Sequence, residues 1–243
     1  MGKTGAIQDQ VAVGSYTHTF GLLGIFLGYF LIAFALSHHT GETAAHVDSV
    51  PGPNLLPGYL ESMGFDWAIL CYVWAGISQR RVRLLELAGG RWASGRQVVR
   101  DLLIAVPFWV VWEGLAIGVS RVLAIGGHTA ASTWVVPRTP IEVLLWIATS
   151  ISAGFCEELV FRGYLQRQFQ AFSQNVTFAI LAQGIVFGLV HPRGWRMVVT
   201  ICVLGWFYGA LAAWRKDLKP NIAAHAISDV WEGWLKHLIS LSI

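Results

Sequence analysis

The stretch GFCEELVFRGY, residues 154–164, decides the fold. It sets two glutamates and an arginine, Glu157, Glu158 and Arg162, into an otherwise apolar run. A charged side chain at the centre of a bilayer costs about 2.5 to 3.5 kcal/mol on insertion scales, so such groups face the interior of a helical bundle and have partners there. Glu158 and Arg162 stand four residues apart, share a helix face and can pair. Glu157 points about 100° away around the same helix. Its neighbours at helical spacing, Ala153 and Phe161, are apolar. A carboxylate with no neutralising neighbour on its own helix suits a general base. The competing reading is a structural knot in which all three residues form ion pairs between helices.

Composition supports lipid as the solvent around this stretch. Of 243 residues, 55% are hydrophobic and 13% charged, and the mean hydropathy is +0.55. The charged share is about half that of a soluble domain, and a water-soluble exterior cannot be built from so few polar groups. The net charge of +3 comes from arginines clustered in a few places, and no nucleic-acid-binding motif is present, so a nucleic-acid partner is not expected. Cys71, Cys156 and Cys202 fall in apolar runs without a pairing pattern and read as small buried hydrophobes.

The fold class is all-α, a polytopic membrane bundle of about seven transmembrane helices. The apolar runs cover residues 20–36, 59–77, 102–125, 141–166, 176–191, 197–214 and 222–239. The first is long and no small-residue cleavage site follows it, which favours a membrane helix over a signal peptide. Residues 38–58, 126–140 and 215–221 read as connections, with Asn221 as the N-cap of the last helix. Residues 79–101 carry Arg80, Arg81, Arg83, Arg91, Arg96 and Arg100 interleaved with Leu84, Leu85, Leu87 and Trp92. That pattern predicts a cytoplasmic loop lying on anionic headgroups. Lys3, Arg167, Arg215, Lys216 and Lys219 then fall on the same side, while Arg138, Arg193 and Arg196 fall opposite. The chain divides into N-terminal helices, residues 1–140, and a chemistry-bearing core, residues 141–243.

Two more helices of that core carry polar groups. Phe187 and His191 share a face in FGLVH, as do His225 and Asp229 in HAISD. Singly, each histidine reads equally well as a structural hydrogen-bonding group. Together with Glu157 they can build a site that takes a proton from water and holds a carbonyl oxygen as charge develops on it. Two histidines and a carboxylate are also ordinary zinc ligands, although the compact H-E-x-x-H motif is absent.

The ordered set Glu157-Glu158-x-x-x-Arg162, Phe187-x-x-x-His191 and His225-x-x-x-Asp229 resembles the CAAX-protease and bacteriocin-processing (CPBP, or Abi) family of intramembrane proteases. The resemblance covers residues 141–235. It implies an endopeptidase that cuts a membrane-associated substrate, either a prenylated CAAX peptide or a bacteriocin-like one. By position, Glu157 and His191 would activate water, His225 and Asp229 would stabilise the oxyanion or complete the site, and Glu158, Arg162 and Phe187 would support them. A metal-free glutamate mechanism is favoured, with zinc the alternative. Asp229 stands where the family often has asparagine, and an ionised aspartate cannot donate to an oxyanion. A bacterial plasma membrane fits the short loops, and the expected partners are lipid and the substrate peptide. Rival readings are an inactive membrane scaffold and a proton-coupled transporter. One geometric condition follows from the spans. Straight antiparallel helices would put His191 at a different depth from Glu157 and His225, so a kink or a helix of non-standard length is required.

Overall fold

A computed structural model describes residues 12–39, 54–123, 137, 139–191 and 195–241, with the side chains of residues 37–39, 120 and 235–241 excepted. The expected loops at residues 40–53 and 126–136, and Lys3, Arg138 and Arg193, lie outside the described residues. Among those described there are helices and connecting turns and no strand. The helices are α1 (Tyr16–His39), α2 (Leu56–Ser78), the single turn α3 (Leu84–Leu87), α4 (Gly95–Val122), α5 (Pro140–Glu157), α6 (Gln166–Ser173), α7 (Val176–Leu189), α8 (Trp195–Arg215) and α9 (Lys219–Leu241). A π-helical segment, Glu158–Leu165, joins α5 to α6 without a break.

Four helical stretches are long and apolar enough to cross a bilayer: Tyr16–Leu36, Gly95–Val119, Pro140–Ser173 and Trp195–Arg215. Their outward faces carry large apolar side chains such as Leu103, Leu144 and Trp214, which lipid rather than water accommodates. With α2, the shorter α7 and α9, the helices of 14 residues or more number seven among the described residues, in the expected order.

The third apolar stretch meets the depth condition. Its start is set by Thr139, whose hydroxyl accepts from Glu142 N while the Glu142 carboxylate accepts from Thr139 N, with Pro140 at the first helical position. It was expected to end near Gln166 but runs 34 residues to Ser173. The polar run QRQFQ does not end it because Gln166 and Gln168 are buried and their amide NH2 groups donate into the core. Gln166 donates to Gly209 O, and Gln168 donates to Gly14 O and Thr19 Oγ1. Gln174, in the left-handed region at φ 54°, stops the helix, and the Asn175 side chain caps α7 by accepting from Phe178 N. The helix α7 then has only 14 residues, about 21 Å of rise. Glu157 lies 16 residues before Ser173, and His191 lies 15 residues after Val176. The two arms of the hairpin are therefore matched in reach, and both residues arrive at one depth.

Close backbone crossings hold the core together. A Cβ on Gly154 would lie 2.9 Å from Ala226 N and 3.1 Å from Ile222 O, so Gly154 is what lets α9 cross α5 one turn before Glu157 and Glu158. Gly184 on α7 meets Gly205 on α8, and one turn along each helix Gly188 faces Cys202 and Gly209 faces Gln183, so small residues bring the two helices together. A Cβ on Gly205 would stand 2.7 Å from Gly184 Cα.

The basic segment is less of a surface loop than expected. Residues 95–101 already belong to α4, and Leu87 is fully buried against the core. Leu218 N donates to Ala88 O, Arg167 donates to Leu87 O, and Lys219 Nζ reaches Gly89 O and Gly90 O. These bonds gather residues 84–90, Arg167 and the α8–α9 turn at one end of the bundle, as the charge pattern predicted. Asn221 is not the N-cap of α9. The helix starts at Lys219, whose N–H is accepted by Asp217, and Asn221 turns its side chain inward. Cys156 and Cys202 are buried, whereas Cys71 is exposed on α2.

A matched pair of substitutions tests the crossing. Gly154→Ala is expected to lower stability by about 1 to 3 kcal/mol by overpacking. Gly24→Ala, on α1 with no atom within 4 Å of its would-be Cβ, is expected to be neutral or mildly stabilising. Thermal unfolding of the detergent-solubilised protein, followed by tryptophan fluorescence, reads both.

Candidate active site

The helix that carries Glu157 and Glu158 changes its winding between them. Glu157 ends α5 and Glu158 opens the π segment, whose wider turns are uncommon and occur often at functional sites. Glu158 and Arg162 pair as their spacing predicted, at 2.8 Å from Nη1 to Oε1, and both side chains are completely sealed from solvent. Arg162 also reaches Gly205 O on α8 at 3.4 Å. Its guanidinium lies over the Phe187 ring, 4.4 Å from the centroid, and 5.3 Å from that of Tyr208.

The Glu158 carboxylate accepts three hydrogen bonds, from Arg162 Nη1, from His225 Nδ1 at 2.9 Å, and from Asn221 Nδ2 at 3.2 Å. Asn221 donates also to Tyr208 O at 2.9 Å. Glu158 therefore fixes the ring of His225 and turns its Nε2 the other way, toward Glu157. Phe187 serves twice, since its ring carries Arg162 and its carbonyl accepts from His191 Nδ1 at 2.8 Å. That bond turns His191 Nε2 toward Glu157 as well.

Glu157 sits between the two rings. Its Oε1 is 4.0 Å from His191 Nε2 and its Oε2 is 3.8 Å from His225 Nε2. Both gaps exceed a direct hydrogen bond, and each is short enough for a water to bridge. Oε2 is buried with no hydrogen-bond partner among the described residues. Asp229 Oδ2 lies 3.7 Å from His225 Nε2. Exposure rises across the group, from 0% for the Glu158 and Arg162 side chains to 17% for Glu157, 26% for His191 and 32% for Asp229. The ion pair is thus the dry side of the cluster, and Glu157, His191 and Asp229 are the wet side, lining a cavity of about 870 Å³.

All the residues singled out in the sequence, Glu157, Glu158, Arg162, Phe187, His191, His225 and Asp229, meet at this one place. Three neighbours were missed. Asn221 lies one turn before His225, and that spacing could have revealed it as a second polar group on the same face. Tyr208 offers no signal beyond an aromatic in an apolar helix. Asp66 on α2 lines the cavity, and its place inside an apolar run was the available signal. Among the described residues no three His, Cys, Asp or Glu side chains are disposed to hold a metal ion. Each histidine has its Nδ1 committed to protein and one nitrogen left facing Glu157.

Residues 139–231 match the family described as type II CAAX prenyl endopeptidase Rce1-like. The segment contains every site residue named from the sequence, and it agrees with the resemblance to CPBP proteases. With the four apolar helices it makes the chain an integral membrane protein. No curated protein and no solved structure matches the chain.

The ion pair has a testable weight. Arg162→Met is expected to destabilise by about 3 to 5 kcal/mol, because it leaves Glu158 buried with its charge uncompensated. The double variant Glu158→Leu/Arg162→Met is expected to recover part of that loss in thermal unfolding while His225 loses its fixed orientation.

Proposed function

We propose that the chain is an intramembrane endopeptidase in which Glu157 activates a water molecule for attack on a peptide carbonyl. The observation that carries this reading is the convergence of Glu157, His191 and His225. Their facing atoms stand 3.8 to 4.0 Å apart, on the side of the cluster that opens to the cavity. The match over residues 139–231 supports a peptidase of the CAAX-processing type.

Chemically, a water lodged between Glu157 and His191 gives its proton to the Glu157 carboxylate as its oxygen bonds to the carbonyl carbon. His191 Nε2 accepts from the same water, because its Nδ1–H is held by Phe187 O. The carbonyl oxygen becomes an oxyanion and is met by His225 Nε2–H. His225 gives Nδ1–H to Glu158 behind it and stands beside Asp229, so Nε2–H is its remaining donor. Asp229 therefore acts through His225, which accounts for an aspartate in the place of a donor asparagine. Collapse of the tetrahedral intermediate breaks the C–N bond, and the proton on Glu157 passes to the leaving amine. Carboxylate and imidazoles supply every proton transfer, so the mechanism runs without zinc. The substrate is a membrane-associated peptide, and the location is a bacterial plasma membrane.

Glu157→Gln keeps the shape and removes the base. It is expected to lower cleavage of a reconstituted peptide substrate by about 10²- to 10⁴-fold, the usual contribution of a single general base, with unfolding temperature unchanged. Full activity in that variant would sink the assignment. A chelator such as 1,10-phenanthroline is expected to leave cleavage intact, whereas loss of activity that zinc restores would replace this mechanism with a metal-dependent one.

A further inference from the structure

The cavity beyond Glu157 has a chemical bias that catalysis does not require. Among the described residues its lining includes five carboxylates, Asp66, Glu113, Glu157, Asp229 and Glu232, beside the imidazoles of His191 and His225, and neither lysine nor arginine. Two of them come from helices outside the matched segment, Asp66 from α2 and Glu113 from α4. Glu113 is held by its own neighbours, accepting from Trp109 Nε1 and Ser228 Oγ at 3.1 Å each. Asp66 differs, because its Oδ2 is buried with no hydrogen-bond partner among the described residues.

A second observation lies on the facing helix. Tyr59 packs on Trp146 and Trp67 on Phe155, register offsets of 87 and 88 residues, so α2 and α5 run parallel. The same offset sets Asp66 beside Ala153, one turn from Thr149 and Ser150. Both of those residues line the cavity, are only 7% and 2% exposed, and have hydroxyls with no hydrogen-bond partner among the described residues. An unpaired carboxylate oxygen and two unpaired hydroxyls at one level of the wall can all accept from a donor. An ammonium has three donors and no acceptor, and a guanidinium has five.

We propose that the wall formed by Asp66, Thr149 and Ser150 binds a cationic side chain, lysine or arginine, of the peptide substrate near the scissile bond. The inference rests on the peptidase reading and names the substrate class that this site takes. Asp66 supplies the counter-charge, and the hydroxyls accept the remaining N–H bonds. The counter-charge thus comes from α2, a helix separate from those that carry the catalytic glutamate and histidines, and the hydroxyls come from α5, which ends at Glu157.

Binding and cleavage can be measured separately. The full-length Glu157→Gln variant, in nanodiscs of zwitterionic phosphatidylcholine, is titrated with three labelled peptides that differ at one position, Lys, Gln or Glu, and binding is read by fluorescence anisotropy. The Lys peptide is expected to bind at least about tenfold more tightly than the Glu peptide, a modest effect for a desolvated charge pair. Adding Asp66→Asn is expected to bring the peptides within about twofold, and Asp66→Glu to retain the preference, each with unchanged unfolding temperature. Equal binding of the three peptides, or a preference that survives Asp66→Asn, overturns the proposal. The unmutated protein then decides the reading beneath it. Selective, Asp66-dependent binding without cleavage would remove the peptidase and leave the cation site. Equal kcat/KM for all three peptides would remove the cation site and leave the peptidase.

Discussion

The buried contact between Glu158 and Arg162 is the constraint on which the site depends. Two sealed charges in a bundle core are tolerable only when they are paired and hydrogen-bonded, and here only Arg162 Nε of the pair's own polar atoms has no hydrogen-bond partner among the described residues. Glu158 is answered by Arg162, His225 and Asn221, and Arg162 by Glu158, Gly205 O and the Phe187 face. Those partners sit on α7, α8 and α9. Satisfying one ion pair therefore fixes how three helices dock against the π segment, and the docking delivers His191 and His225 to Glu157. The pair does no chemistry in the proposed reaction. It makes the chemistry geometrically unavoidable, since His225 cannot hydrogen-bond Glu158 through Nδ1 without presenting Nε2 to the neighbouring glutamate.

Much of this was legible in the sequence because charge in an apolar run is expensive. The i, i+4 spacing of Glu158 and Arg162 predicts their pairing from helix geometry alone, and the isolation of Glu157 on its own helix singles it out. The seven apolar runs fall on seven helices of 14 residues or more. What could not be read were features set by tertiary contact. Gln166 and Gln168 look like the end of a helix, and they continue it because Gly209, Gly14 and Thr19 receive their amides. Asn221 has the identity and position of a cap, and it is diverted because a buried carboxylate one helix away makes a better partner. The π segment leaves no mark in EELVFRGYL that separates it from an ordinary helix. Leu87 looked like part of a loop on a membrane surface, but fits against Gly163, where a Cβ would stand 3.3 Å from its own.

The cavity shows how a family-like core acquires individual character. The cluster of Glu157, His191 and His225 comes wholly from the matched segment, whereas Asp66, Glu113 and Trp112 are presented by helices that precede it. The counter-charge proposed for recognition therefore lies outside the matched segment, while the hydroxyls of Thr149 and Ser150 lie inside it. The contact of the preceding segment with the core is nonetheless tight, for Gly14 and Thr19 bond to Gln168 and Tyr164.

The matched hairpin arms carry a consequence for life in a bilayer. Glu157, His191 and His225 are each placed by counting residues from the same end of the bundle, where α6 turns into α7 and α8 turns into α9. The opposite end, where α5 starts, does not enter that count. A thicker or thinner membrane can be absorbed there by tilt or local deformation. Glu157, His191 and His225 would then keep their distance from one face of the bundle whatever the tilt at the other.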